Sequence, residues 1–104
     1  MHDGAEDFIK CLEARDELRA LVVRLIATES IPFQRSTMIA DGVSIFHWGP
    51  DANRVEVHAE IRGRDASVIV MDRTNRVVGF SPGLVEWALE RVKRRMILEC
   101  LADA

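Results

Sequence analysis

Tyrosine is absent from this sequence, aromatic residues number six, and the two cysteines stand near opposite ends at positions 11 and 100. Each scarcity excludes a class of function. Sheet-type RNA readers stack bases on aromatics set among basic residues, and the four Phe and two Trp present here form no such pattern. Cys11 and Cys100 make no C-x-x-C pair and have no histidine at metal-ligand spacing. Neither a zinc site nor a redox motif is indicated, and both are expected as buried thiols. No metal and no cofactor are expected. Gly79 and Gly83 lie near a helix start, but without the glycine-rich loop that cradles phosphate. No apolar run reaches the roughly 18 residues of a membrane span. Asp3, Glu6 and Asp7 stand where a secretion signal would be basic, so a cytoplasmic, reducing setting is expected.

An excess of positive charge is also missing. The formal net charge is -3 and the pI about 5.6, whereas domains that neutralise phosphates are strongly basic. Nucleic acid is therefore not the expected partner. Only Lys10 and Lys93 are lysines, so 12 of the 14 basic residues are Arg, a bias that favours forked carboxylate contacts and that codon usage also produces.

What is present is enough for one core. A chain of 104 residues with 48% hydrophobic and 30% charged side chains is neither polar enough to stay disordered nor long enough for two ordinary cores, so residues 1–104 are read as one domain.

Asp3 followed by Glu6 matches a capped helix start, and a helix over 4–27 is expected. Phe8, Cys11, Leu12, Leu18, Val22, Leu25 and Ile26 share one face at ~100° per residue. Arg15 interrupts that face, either breaking the helix near Asp16 or snorkelling to its rim, and the rim is expected. Residues 20–27 are apolar nearly all round apart from Arg24, which predicts cover on more than one side. Pro32 ends the helix, because proline biases the residue before it away from α geometry.

Asp41-Gly42 between two β-forming runs, 37–40 and 43–46, predicts a tight hairpin with a type I′ turn. Gly49-Pro50-Asp51 makes the next turn. Strict alternation then predicts a strand over 54–62, with Val55, Val57, Ala59 and Ile61 inward and Arg54, Glu56, His58, Glu60 and Arg62 on a wet face. Gly63-Arg64-Asp65 turns the chain into a strand over 67–71, apolar on both faces and so expected at the centre of the sheet. A turn around Thr74-Asn75 leads to a short strand over 77–80. Ser81 then caps a last helix with Pro82 at its first position. Val85, Ala88, Leu89, Val92, Met96 and Cys100 form the face expected to meet the sheet. The predicted class is α+β: an antiparallel meander of four or five strands, flanked by an N-terminal and a C-terminal α-helix in two layers. The expected core is Phe8, Leu12, Val22, Ile26, Val55, Val57, Ile61, Val68, Val70, Val85, Leu89, Val92 and Met96.

Four groups of residues carry possible chemistry. The last helix has a second stripe, Leu84, Trp87, Arg91, Arg94, Leu98 and Leu101, apolar at both ends and basic between. Trp and Arg are the residue types enriched in interfaces, so this stripe is the expected partner or dimer surface, unless the N-terminal helix covers it. In a symmetric dimer Leu84, Trp87, Leu98 and Leu101 would meet their own copies or the other subunit's sheet, and replacing Trp87 and Leu98 by Ala would weaken self-association while helix content stayed largely intact. Arg91, Lys93, Arg94 and Arg95 would grip phosphate or an acidic surface, or simply complement the dipole of the helix end. His58 between Glu56 and Glu60 has the makings of a tuned acid or base, although an exposed ladder of alternating charges explains it too. Phe46-His47-Trp48-Gly49 would stack a base or line a pocket, or pack in the core.

No catalytic residues are assigned. The expected function is a non-catalytic protein-binding module that regulates, inhibits or chaperones another protein, itself homodimeric, with no membrane partner. Nucleic-acid binding through the basic helix is the first alternative, and a small enzyme using His47 or His58 with nearby carboxylates is the second. In size, charge and architecture, rather than in any motif, the chain is broadly similar to type III secretion chaperones and to small phage-encoded inhibitors, and a phage or mobile-element origin is one expectation.

Overall fold

A two-residue hairpin link of type I′ needs positive φ at both positions, a conformation that side-chain-bearing residues adopt only at a cost. The computed structural model describes residues 4–27, 37–47 and 54–102. In it Arg62 and Gly63 take that geometry, with φ of 54° and 75°, between β3 (Arg54–Ile61) and β4 (Arg64–Asp72). The turn is therefore one residue earlier and tighter than Gly63-Arg64-Asp65 predicts, and β4 begins at Arg64 because Ile61 pairs directly with Arg64. The opposite correction applies to the hairpin of β1 (Thr37–Ala40) and β2 (Val43–His47). There only Gly42 has positive φ, 74°, so Asp41-Gly42 is not a type I′ turn, and the pairing register shifts between Met38 and Ala40.

Asp72 organises the turn into β5 (Val77–Phe80). Its carboxylate accepts from the Thr74 amide (2.9 Å), the Thr74 hydroxyl (2.7 Å) and the Arg76 amide (2.9 Å), while Asn75 takes a φ of 63°. These bonds, the Thr74 hydroxyl first, hold the Asp72 carboxyl below the usual carboxylate pKa. The strands lie in the order β1-β2-β3-β4-β5 with every neighbouring pair antiparallel, the expected meander with β3 and β4 interior.

Two helices cover one face of this sheet: α1 (Gly4–Ala27) and α2 (Pro82–Ala102). At the start of α2, Ser81 occupies the cap position, and its carbonyl accepts from the amides of Leu84 (3.1 Å) and Val85 (3.0 Å). Its hydroxyl is turned away and donates to the Ser67 carbonyl at 2.7 Å, while its amide donates to Val68, so Ser81 ties the helix to β4. Cys11 lies close enough to Glu86 to feel its charge and Glu17 pairs with Lys93 at 2.7 Å, so the two helices run in the same sense.

Leu18 and Val22 of α1, Val43, Ile45, Val57, Ala59, Val68, Ile69 and Met71 of the sheet, and Val85, Ala88, Leu89 and Val92 of α2 are buried together. The result is the two-layer α+β arrangement. Ile26, Val55, Ile61 and Met96 pack against that cluster, half-buried. Three expected core residues are misplaced by the sequence reading. Phe8 is 54% exposed near the free end of α1, and Leu12 is only half-buried. Val70 pairs with Glu56 and Gly79 on the face away from the helices, since a strand period of two sends it opposite to Ile69 and Met71. Along the C-terminal part of α1, Leu21 and Val22 are buried and Val23, Leu25 and Ile26 half-buried, whereas Ala20, Arg24 and Ala27 form one open strip. Arg15 does not break the helix. Its guanidinium pairs with Asp16 and stands 5.2 Å from the centre of the Phe80 ring, an amphipathic placement at the rim. Cys11 is half-buried rather than enclosed, and burial first, then the Glu86 and Asp7 charges, push its thiol pKa up. Asp3, Pro32, the Gly49-Pro50-Asp51 turn and the Cys100 side chain fall outside the described residues.

Candidate functional site

The second stripe of α2 divides along its length. Leu84 and Trp87 turn inward and pack against the core. The Trp87 ring lies over the β1–β2 turn so closely that a Cβ on Gly42 would come within 3.0 Å of it. Arg91 stacks on the same ring, 4.8 Å from its centroid, which places a delocalised cation over a large π surface. Arg94, Leu98 and Leu101 remain exposed. The stripe thus has an inner half that holds the hairpin to the helix and an outer half that faces solvent.

Between them α2 and β1 enclose an open groove of about 310 Å³, whose described lining is Met38, Ile39, Ala40, Asp41, Arg91, Arg94, Arg95 and Leu98. That volume is at the small end of the range for small-molecule sites and suits a few side chains better than an enclosed ligand. Three guanidinium groups against the single carboxylate of Asp41 give the lining a formal charge of +2 on a chain of net charge -3. Leu98 is 56% exposed on the helix wall, whereas Met38, 67% exposed, pairs with Ser44 in register with His58 and so projects on the sheet face away from α2. Sequence periodicity finds Arg91, Arg94 and Leu98 but misses Met38, Ile39 and Asp41, because nothing along the chain says which strand a helix face will meet.

The basic cluster is dispersed in the same way. Lys93 points toward α1 and pairs with Glu17, Arg91 is stacked on Trp87, and Arg94 and Arg95 line the groove. The helix continues to Ala102, so 93–95 precede its last turn. The dipole of a helix end, which fades within one turn, does not account for them.

His58 lies on the sheet face away from the helices, where its Nε2 meets Glu56 Oε2 at 2.6 Å. Both side chains are mostly shielded, 20% and 13% exposed, so this part of the strand is drier than its alternation predicts. The Phe46 ring contacts the imidazole edge-on with centroids 4.5 Å apart, and the buried Nδ1 has no hydrogen-bond partner. Glu60 is exposed, so the expected trio reduces to one pair. Phe46 belongs to this open face, while Trp48, Gly49 and the His47 side chain lie outside the described residues. Among the described residues no three His, Cys, Asp or Glu side chains gather as metal ligands, and no helix is long and apolar enough to cross a membrane.

Fold and groove together define a two-layer α+β domain with an arginine-walled cleft at one edge of its sheet. No protein-family model, curated protein or solved structure matches the chain.

Proposed function

We propose that this chain is a small, non-catalytic protein-binding module, a regulator, inhibitor or chaperone-like adaptor working in the cytoplasm, and that the groove between β1 and α2 is its contact surface. The observation that carries the reading is the exposed Leu98 set among Arg91, Arg94 and Arg95 in a cleft bordered by the edge strand β1, on which Met38 is also more than half exposed. An exposed apolar side chain set among arginines is a composition that interfaces favour. Guanidinium groups bind anions and do not exchange protons near neutral pH, so this lining supports recognition better than acid–base chemistry.

The test is a photo-crosslinking amino acid placed at position 38 in the native cells, with position 13 on the exposed side of α1 as control. The expected result is one protein crosslinked from position 38 and lost when Leu98→Asp is added. A crosslink to nucleic acid, or identical adducts from both positions, refutes the reading. A second reading rests on a different observation. Ile97 and Leu101 are 60% and 67% exposed on the outer side of α2, and a second copy of the chain is the commonest cover for such a pair.

A further inference from the structure

The two edges of the sheet are treated differently. At the β5 edge α1 lies alongside, with Arg15 over Phe80 and Arg19 donating to the carbonyl of Asn75. The β1 edge is Thr37-Met38-Ile39-Ala40, with neither a charge nor a proline to discourage pairing, and among the described residues only β2 pairs with it. The register irregularity between Met38 and Ala40 keeps the pairable run short. The groove opens directly beside this strand.

From this juxtaposition we infer that the groove takes an extended, acidic segment of a partner protein, which adds to the sheet as a strand along β1 and sets its carboxylates against Arg91 and Arg94. This rests on the module reading above and names the chemistry of its ligand. The dimensions agree. Four strand residues span about 13 Å, and the helix from Arg91 to Leu98 rises about 10 Å. Side chains of an added strand alternate, so acidic residues at every second position face the helix while those between them lie beside Met38, where β-branched apolar residues fit. The groove is positive although the chain is negative, so attraction is local and selects acidic segments over neutral ones. A phosphodiester strand would meet the arginines, but it has no amide ladder to offer the edge of β1 and no apolar side chain for Met38 and Leu98.

The experiment uses the whole chain and a fluorescein-labelled peptide of alternating Glu and Val. Its comparators are the same peptide with Gln for Glu, the same peptide with Lys for Glu, and an oligonucleotide of equal formal charge. The acidic peptide is expected to bind in the micromolar range, at least tenfold more tightly than the three comparators. Amide NMR shifts should centre on 37–40, and Arg94→Glu should reduce affinity at least tenfold with an unchanged far-UV spectrum. No binding by the acidic peptide, equal binding by the oligonucleotide, shifts that bypass 37–40, or an Arg94→Glu variant with full affinity would each overturn the inference. Crosslinking from position 38 reports separately. A protein adduct there with no peptide binding leaves the module standing and removes the acidic strand.

Discussion

Gly42 is the point at which hairpin, neighbouring strand and helix meet, and Gly42→Ala measures how tightly they do so. With φ at 74°, any Cβ incurs the left-handed penalty of about 1–2 kcal/mol. The new methyl would also stand 3.0 Å from Trp87 Cη2 and 3.1 Å from the Glu60 carbonyl oxygen. Neither neighbour is free to retreat. The indole is packed against the core and stacked with Arg91, and the Glu60 amide donates to Gly42 O at 2.6 Å, so withdrawing the turn from β3 sacrifices that bond. Overpacking of this kind adds about 1–3 kcal/mol. Gly63 supplies the reference, since its φ is 75° and nothing lies within 4 Å of its Cβ position. Both replacements share the left-handed penalty and the same unfolded-state gain of roughly 0.4–1 kcal/mol. Their difference isolates the contact with Trp87 and β3. Gly63→Ala is expected to lose about 1 kcal/mol and Gly42→Ala about 2–4 kcal/mol. Urea unfolding followed by far-UV circular dichroism reads both on one scale. Equal losses in the two variants would show that Trp87 does not close over the hairpin, and would return the indole to the list of side chains available to a partner.

Ser81→Ala removes the hydroxyl bond to the Ser67 carbonyl, and because that bond is partly buried, urea unfolding should show a loss of about 1 kcal/mol. Retained stability would mean that the hydroxyl plays no part in anchoring α2. Asp72 gives a pH dependence of definite sign: its folded pKa lies below its unfolded one, so its contribution is complete above the ordinary carboxylate range and disappears as pH falls through the depressed folded value. Thermal melts of Asp72→Asn should therefore lose less stability than the wild type on acidification below about pH 4, and parallel curves would disprove the assignment.

Much of the architecture is legible in the residues, and the failures have identifiable causes. The alternation over β3, the turn chemistry around Thr74-Asn75 and proline just after Ser81 are local signals, and local structure follows them. The two hairpin turns depart from expectation because Asp-Gly is the familiar type I′ pair, whereas here the strand register allots both positive φ angles to Arg62 and Gly63. The expected core lacks Val43, Ile45, Ile69 and Met71, all buried, although the strands that carry them are expected. Short strands show a period of two but not which phase meets the helices. Trp87 illustrates the limit for the site. Its helical spacing places it on the stripe with Leu98, yet its neighbours are Gly42 and Arg91, one of them 45 residues away in the chain. The Phe46 contact with His58 is likewise not legible along the chain, since it joins residues on adjacent strands.

That division of the stripe changes where self-association should be sought. Replacing Trp87 and Leu98 together, the obvious choice from helical spacing, would strip the hairpin of its cover and confuse unfolding with dissociation. Ile97 and Leu101 avoid the difficulty, being 60% and 67% exposed and outside the core cluster. Substituting both with Glu should leave folding within about 0.5 kcal/mol per site, as surface changes usually do. In a two-fold interface each side chain occurs twice, so four apolar groups would be replaced by four carboxylates that meet one another. Full burial of such side chains is worth about 1.5–3 kcal/mol each. Even if only part of that is realised, a loss of about 3 kcal/mol or more is expected, which is over a hundredfold in dissociation constant. Sedimentation velocity at tens of micromolar should then show a dimer for the wild type and a monomer for Ile97→Glu/Leu101→Glu, with unchanged circular dichroism for both. A wild-type monomer, or a variant that dimerises as well as its parent, would remove the second copy as the cover for this end of α2.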